Sequence, residues 1–239
     1  MQTLQETVQA YKESHAQQKH KQIYDTFFRN ADADNDLKRS FQACDGFGEL
    51  PFSWNWKLLV DECPQSFRFL EIGVYKGRVL AQVGMLANRT GKQCELLGVT
   101  PLSTSGDKYS QYADVEYLSE IYKNLQTCGV PKERLQIIKG FSQDKHIVQQ
   151  VFEKGPFDIV FVDGSHDYEN VCIDIYNYGG MVKPGGLFVM DDSSLYIPYP
   201  YGQFLGHPDV SKAAKDYLEN NPQFEHLFAV GHNRVWRKL

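Results

Sequence analysis

From about position 66 onward, short apolar runs alternate with segments whose apolar residues recur every three or four positions. Phe67–Gly73 reads as a first strand, and Val79, Leu80, Val83, Leu86 and Ala87 then share one helical face. Glu95–Val99 reads as a second strand. Asp114 is placed to cap a helix carrying Val115, Leu118, Ile121, Tyr122 and Leu125, stopped by Gly129 and Pro131. Leu135–Ile138 is a third strand and Asp144–Phe152 a helix. Asp158–Val162 is nearly pure apolar, as a central parallel strand covered on both faces must be. Helix Tyr168–Tyr178 and strand Gly186–Met190 follow.

Strands alternating with helices predict an α/β fold, a doubly wound and mostly parallel sheet. Ligands of such sheets gather at the carboxyl ends of the strands, near the switch point. The ends of the chain have a different texture. Residues 1–60 carry sparse apolar anchors, Leu4, Val8, Tyr11, Ile23 and Phe27, and then Trp54 and Trp56. This predicts an N-terminal helical arm, a candidate lid or self-association contact, ahead of a main domain at 61–239. Near the other end, a helix is expected over Asp209–Leu218. Phe224–Val230, a turn at Gly231-His232-Asn233 and Arg234–Arg237 predict a C-terminal antiparallel hairpin.

Hydrophobic content of 42% and charged content of 23% suit a soluble globular chain of this length. The net charge of −5, without a basic run, argues against nucleic acid or an anionic membrane as partner. Five scattered cysteines form no C-x-x-C pair, which predicts reduced thiols and a cytoplasmic setting. The first thirty residues lack an apolar signal core.

Three constellations carry chemistry. Glu71-Ile72-Gly73-Val74-Tyr75-Lys76-Gly77 ends a strand and opens a helix. Its glycines permit a sharp turn and close ligand approach, with free N–H groups at the helix start. The spacing is not the G-x-G-x-x-G of dinucleotide folds. Next, a buried strand ends at Asp163, with His166 three residues beyond. Finally, Lys183-Pro184-Gly185-Gly186 leads into a strand that ends at Asp191 and Asp192. Asp163, Asp191 and Asp192 should converge at neighbouring strand ends. Three such carboxylates repel unless a cation is present, and hard oxygen donors favour Mg2+. The run Asp32-Ala33-Asp34-Asn35-Asp36 imitates a calcium loop, but Leu37 and Ala43 stand where Gly and Glu are required. It reads as an acidic solvated loop.

These segments, together with Val162-Asp163-Gly164-Ser165-His166-Asp167-Tyr168, resemble the class I S-adenosylmethionine (SAM) dependent methyltransferases. The likeness covers roughly residues 66–195. It is nearest the metal-dependent macrocin-type sugar O-methyltransferases and the cephalosporin hydroxylase-like group. The resemblance implies a Rossmann-like sheet, with SAM and Mg2+ as cofactors and a small hydroxylated molecule as substrate. It implies Asp163, Asp191 and Asp192 as metal ligands and His166 as general base, with His207 as a second candidate. Glu71, Gly73, Tyr75 and Gly77 would surround the methionine part of SAM. Gly140-Phe141-Ser142-Gln143-Asp144 would lie near adenine, with Asp163 also bordering the cofactor. Where the family has an acid for the ribose, this chain has Thr100, with Asp107 as a substitute from the following loop. Arg78 would pair with the cofactor carboxylate or sit in solvent. Aromatic residues of Ser193–Phe204 would wall the substrate site. The reading is Mg2+-dependent methyl transfer to a hydroxyl; the alternative is a SAM-binding protein without turnover. A nicotinamide enzyme is disfavoured by the glycine spacing.

Overall fold

The apolar run at Phe157–Val162 forms a strand, β4, in which all six residues are buried. Around it the computed structural model, which describes residues 2–15, 18–199 and 203–239, builds a seven-stranded sheet. The other strands are β1 (Ser66–Ile72), β2 (Gln93–Thr100), β3 (Leu135–Lys139), β5 (Val182–Met190), β6 (Phe224–Val230) and β7 (Asn233–Lys238). Their order is β3-β2-β1-β4-β5-β7-β6, with β7 antiparallel to both neighbours. The order reverses between β1 and β4, and the crevice expected for a ligand opens there.

Alternation along the strands sends successive side chains to opposite faces. Phe69, Ile159, Phe161, Leu187 and Val189 belong to one core cluster. Leu70, Ile72, Val160, Val162, Phe188 and Met190 belong to the other. The second cluster lies under α7 (Lys145–Phe152), α8 (Tyr168–Gly180) and α9 (Pro208–Ala214). The first is covered by α5 (Arg78–Arg89), α6 (Tyr117–Thr127) and four N-terminal helices: α1 (Leu4–Glu13), α2 (Lys19–Ala33), α3 (Asn35–Ala43) and α4 (Leu50–Glu62).

The N-terminal anchors therefore point into the sheet. Phe27 meets Phe228 edge-on at 5.7 Å. Trp56 is fully buried, 4.8 Å from the Phe161 ring and 5.9 Å from Phe69. Truncating such a residue to alanine costs about 3–5 kcal/mol. Among the described residues no helix is long and apolar enough to cross a membrane.

Local structure refines three expectations. Helix α6 is capped by Glu116, whose side chain accepts from Ser119 N–H at 2.7 Å, so Asp114 and Val115 lie outside it. The C-terminal helix begins at Pro208 and widens into a π-turn over Lys215–Glu219. The Asp32–Asp36 run is no free loop: Asp34 caps α3 through Asp36 N–H and Leu37 N–H, and Arg89 grips both its oxygens at 2.9 Å.

Candidate active site

Strand register assembles the site. Ile72 pairs with Val162 and Val162 with Met190, so the next residues, Gly73, Asp163 and Asp191, emerge side by side. Asp163 N–H donates to Ile72 C=O at 2.8 Å, and Asp191 N–H to Val162 C=O at 3.0 Å. Met190 also pairs with Arg234, which brings the β6–β7 turn, with His232 and Asn233, beside the acids.

Gly73 has φ +92°, and a Cβ there would sit 1.8 Å from the Asp163 carbonyl oxygen. Only glycine permits that approach. Beyond it lies a cleft of about 200 Å³. Gly73, Tyr75, Thr100, Ser142 and Asp163 line it, together with Asp107. Glu71 and Gly77 do not. Gly77, at φ +75°, packs on Ile121 and precedes α5. Glu71 is wholly buried beneath the turn, where it accepts from Leu80 N–H; burial, aided by the charge of Asp191, pushes its carboxyl up to about 8. Tyr75 stacks on Phe47 at 4.7 Å. The Thr100 hydroxyl accepts from Leu102 N–H at 3.2 Å.

The acids share their charge with histidines. Burial, and then the charges of Asp191 and Asp192, push the Asp163 carboxyl well above its ordinary value. Asn233 donates to Asp191 Oδ1 at 2.8 Å, and His232 Nδ1 lies 2.7 Å from the same oxygen. His232 Nδ1 is also 3.0 Å from Asp192 Oδ1. Burial alone would lower His232, but the charges of Asp191 and Asp192 hold it up at about 10. Burial opposes ionisation of Asp192 too; the contacts with His166 and His232 reverse that and keep it below the usual carboxylate range.

Asp192 has φ +50°, and Gly206 folds against its backbone so closely that a Cβ would meet the Asp192 carbonyl at 2.0 Å. That fold-back carries His207 to the site, its Nε2 3.5 Å from Asp192 Oδ2 and its ring stacked on Tyr109 at 4.2 Å. His166 is buried, with Nδ1 2.8 Å from Asp107 Oδ2 and Nε2 3.2 Å from Asp192 Oδ2. Burial would lower it; Asp192 and Asp107 raise it instead. Asp107 also accepts from the N–H groups of His166, Tyr109 and Ser110. Its carboxylate is thus spent on His166 and its own loop, not left free as a ribose acceptor.

Among the described residues, two groups each bring their ligand atoms within 4.8 Å of one another: His166, Asp192 and His207; and Asp191, Asp192 and His232. Asp191 and Asp192 therefore come together as the sequence suggested, while Asp163 borders them outside both sets. The oxygen donors suit a hard divalent ion, and the raised Asp163 carboxyl marks negative charge that such an ion would offset.

Arg78 is neither a cofactor partner nor a solvated residue. It donates to the carbonyls of Cys44 and Phe47 and lies over the Phe41 ring at 4.5 Å, tying the N-terminal helices to the glycine turn. In Ser193–Phe204, Phe204 reaches the histidines, 5.2 Å from both His207 and His232, whereas Tyr199 faces His20. Pro200 and Tyr201 fall outside the described residues. Sequence reasoning missed His232 and Asn233 as site residues; the signal was a polar hairpin turn on the strand that neighbours the Asp191-Asp192 strand.

Comparison with known proteins now adds to this geometry. A family model described as "Methyltransferase domain" matches residues 70–193, just over half of the chain and all three motif segments. The chain belongs to this methyltransferase family. This methyltransferase is 35% identical over 83 residues to demethylmacrocin O-methyltransferase of Streptomyces fradiae, covering 34% of the chain and 20% of that protein. It is 30% identical over 130 residues to an uncharacterised protein of Acanthamoeba polyphaga mimivirus, covering 54% of the chain and 52% of that protein. The chain thus spans about half or less of these curated relatives.

Among solved structures, the methyltransferase superposes on the TomG O-methyltransferase of Streptomyces achromogenes, in complex with SAM, with TM-score 0.58 and 16% identity over 92% of this chain and 98% of that one. An O-methyltransferase of Bacillus cereus in complex with SAH gives TM-score 0.58 and 14% identity, over 90% and 99%. MycE from mycinamycin biosynthesis, in complex with Mg and SAH, gives TM-score 0.52 and 19% identity, over 85% and 52%. At these identities the likeness establishes the fold.

Proposed function

We propose that this methyltransferase transfers a methyl group from SAM to a hydroxyl of a small metabolite or glycoside, with Mg2+ beside Asp163, Asp191 and Asp192. The observation that carries the reading is the position of His166, pinned between Asp107 and Asp192 where the glycine-turn cleft meets the acids. The Mg and SAH bound to MycE, and the SAM bound to TomG, support the cofactor assignment.

Bound SAM supplies an electrophilic methyl on a sulfonium, and a bound divalent ion supplies positive charge that lowers the pKa of a neighbouring hydroxyl. The chain's own residues do the rest. Gly73 lets the backbone close on the ligand. Thr100 offers a hydroxyl at the second strand end, where a ribose would lie. Asp107 holds Nδ1–H of His166 and fixes the ring, and Nε2, which lies 3.2 Å from Asp192 Oδ2, would be free to take a proton once a bound divalent ion engages that carboxylate. With SAM bound, its sulfonium would supply the methyl group and leave as the thioether, and His166 would take the proton of the acceptor hydroxyl. Phe204 and Tyr109, flanking His207, would border the acceptor.

Titration calorimetry with SAM and S-adenosylhomocysteine, with and without Mg2+, tests the reading. Binding of both ligands is expected, and absence of heat under every condition rejects it. The alternative, SAM binding without turnover, stands if binding is found but no hydroxylated acceptor is methylated in the presence of Mg2+.

A further inference from the structure

Asp174 takes no part in the chemistry above, yet its side chain is completely buried on α8, behind the wall of the cleft. Its oxygens meet the hydroxyl of Ser142 and the Gln143 amide, with Gln143 Nε2 at 3.4 Å from Oδ1 and 3.3 Å from Oδ2. The same Nε2 donates to Ser142 Oγ at 2.8 Å. Tyr178 O–H donates to the Ser142 carbonyl at 2.7 Å and anchors the loop from below.

A charged carboxylate only accepts hydrogen bonds. The amide beside it must therefore present its NH2 group inward, and the Ser142 hydroxyl donates to Asp174. Turning the amide over would set Oε1 against a buried carboxylate, which costs the full penalty of an unpaired polar contact. Gln143 also lines the cleft. With its NH2 engaged by Asp174 and Ser142, the part of the amide left for a ligand is the acceptor, Oε1.

We propose that Asp174 is a positioning residue that locks the Gln143 amide so that this end of the cleft selects a hydrogen-bond donor, the exocyclic amine of adenine, over the carbonyl of a hypoxanthine base. The proposal rests on the SAM reading above, which puts the base at the Gly140–Asp144 loop.

The test is calorimetric binding of S-adenosylhomocysteine and S-inosylhomocysteine, which differ in the group at C6 and in the hydrogen that the inosine base carries at N1. Burial pushes Asp174 up to about 7, so the measurement is made near pH 8, with the carboxylate charged. The wild type should bind the adenosine ligand at least about tenfold more tightly. In Asp174→Asn the amide is free to turn, and the ratio should fall to about threefold or less, the inosine ligand gaining affinity. Gln143→Met, a change on a partly exposed wall, should erase the preference while leaving the buried carboxylate its contact with Ser142, and a ratio that survives it overturns the proposal even if Asp174→Asn does not fold. A merely structural role for Asp174 would weaken both ligands alike and leave the ratio unchanged. A wild type that binds neither ligand removes the SAM reading and this inference together. A wild type that discriminates, with both variants keeping the ratio, overturns the inference alone.

Discussion

His232 Nδ1 lies 2.7 Å from Asp191 Oδ1, so a hairpin turn near the end of the chain places its imidazole against the acids at the end of β5. The pair links charge to stability. The unfolded histidine titrates near ~6.5, and the folded one is held at about 10. Its contribution is therefore whole below about pH 6.5 and is lost as the pH climbs through about 10. In the presence of EDTA, urea unfolding of the wild type should weaken over that window by roughly 1–3 kcal/mol. His232→Gln should flatten the slope; equal slopes would reject the assignment.

Asp107 and His166 form the second testable unit. His166→Ala should lower methyl transfer by about 10²–10⁴-fold while SAM affinity stays nearly constant. Asp107→Asn keeps an acceptor for Nδ1–H but removes the charge, so a loss of about tenfold to a hundredfold is expected. His207→Ala should retain most of the rate. Single-turnover assays with matched binding titrations separate these outcomes, and a greater loss in His207→Ala than in His166→Ala would transfer the base to His207.

Glu71 offers a test independent of any acceptor. Its Oε2 is buried without a hydrogen-bond partner among the described residues. Its carboxyl, near ~4.3 when unfolded, is pushed up to about 8 in the fold. The folded chain keeps a proton that the unfolded chain releases, so stability falls as pH rises from about 4.3 to about 8. Glu71→Gln retains an acceptor for Leu80 N–H and removes the ionisation. It should equal the wild type near pH 4 and exceed it at pH 8 by about 3 kcal/mol. No gain at pH 8 in denaturant titrations would count against a buried, strained carboxyl.

The cysteines make a fourth case. Cys44 and Cys128 lie 84 positions apart in sequence, yet their Sγ atoms are 3.4 Å apart, where α3 and α6 end. Oxidised glutathione should accept the two protons and two electrons of these thiols, leaving a Cys44–Cys128 disulfide and two reduced glutathiones. Peptide mapping should find that bridge, and thermal unfolding should show a gain of about 2–4 kcal/mol. Finding only glutathione adducts at saturation would refute close approach of the pair.

Much of this molecule can be read along the chain. The alternation of strands and helices, the pure apolar run of β4 and the terminal hairpin all follow from local periodicity, because burial on two faces leaves its signature in consecutive residues. Gly73 and the acids at the strand ends were legible for the same reason: register carries Gly73, Asp163 and Asp191 to one line whatever the loops do. The caps were less legible. Glu116 and Asp114 are both suitable residues, and only the path of the loop before α6 selects between them.

What the sequence by itself determined is therefore the sheet, its ligand edge and the family of chemistry placed there. Tertiary structure decided who answers the acids. His232 comes from a turn about forty residues beyond Asp192, His207 arrives because Gly206 folds onto the Asp192 backbone, and Asp107 crosses from the loop after β2 to hold His166. It also buried Glu71 beneath the cleft and turned Arg78 toward the N-terminal helices. Contacts of that kind depend on distances through space between segments far apart in the chain, and no local period encodes them.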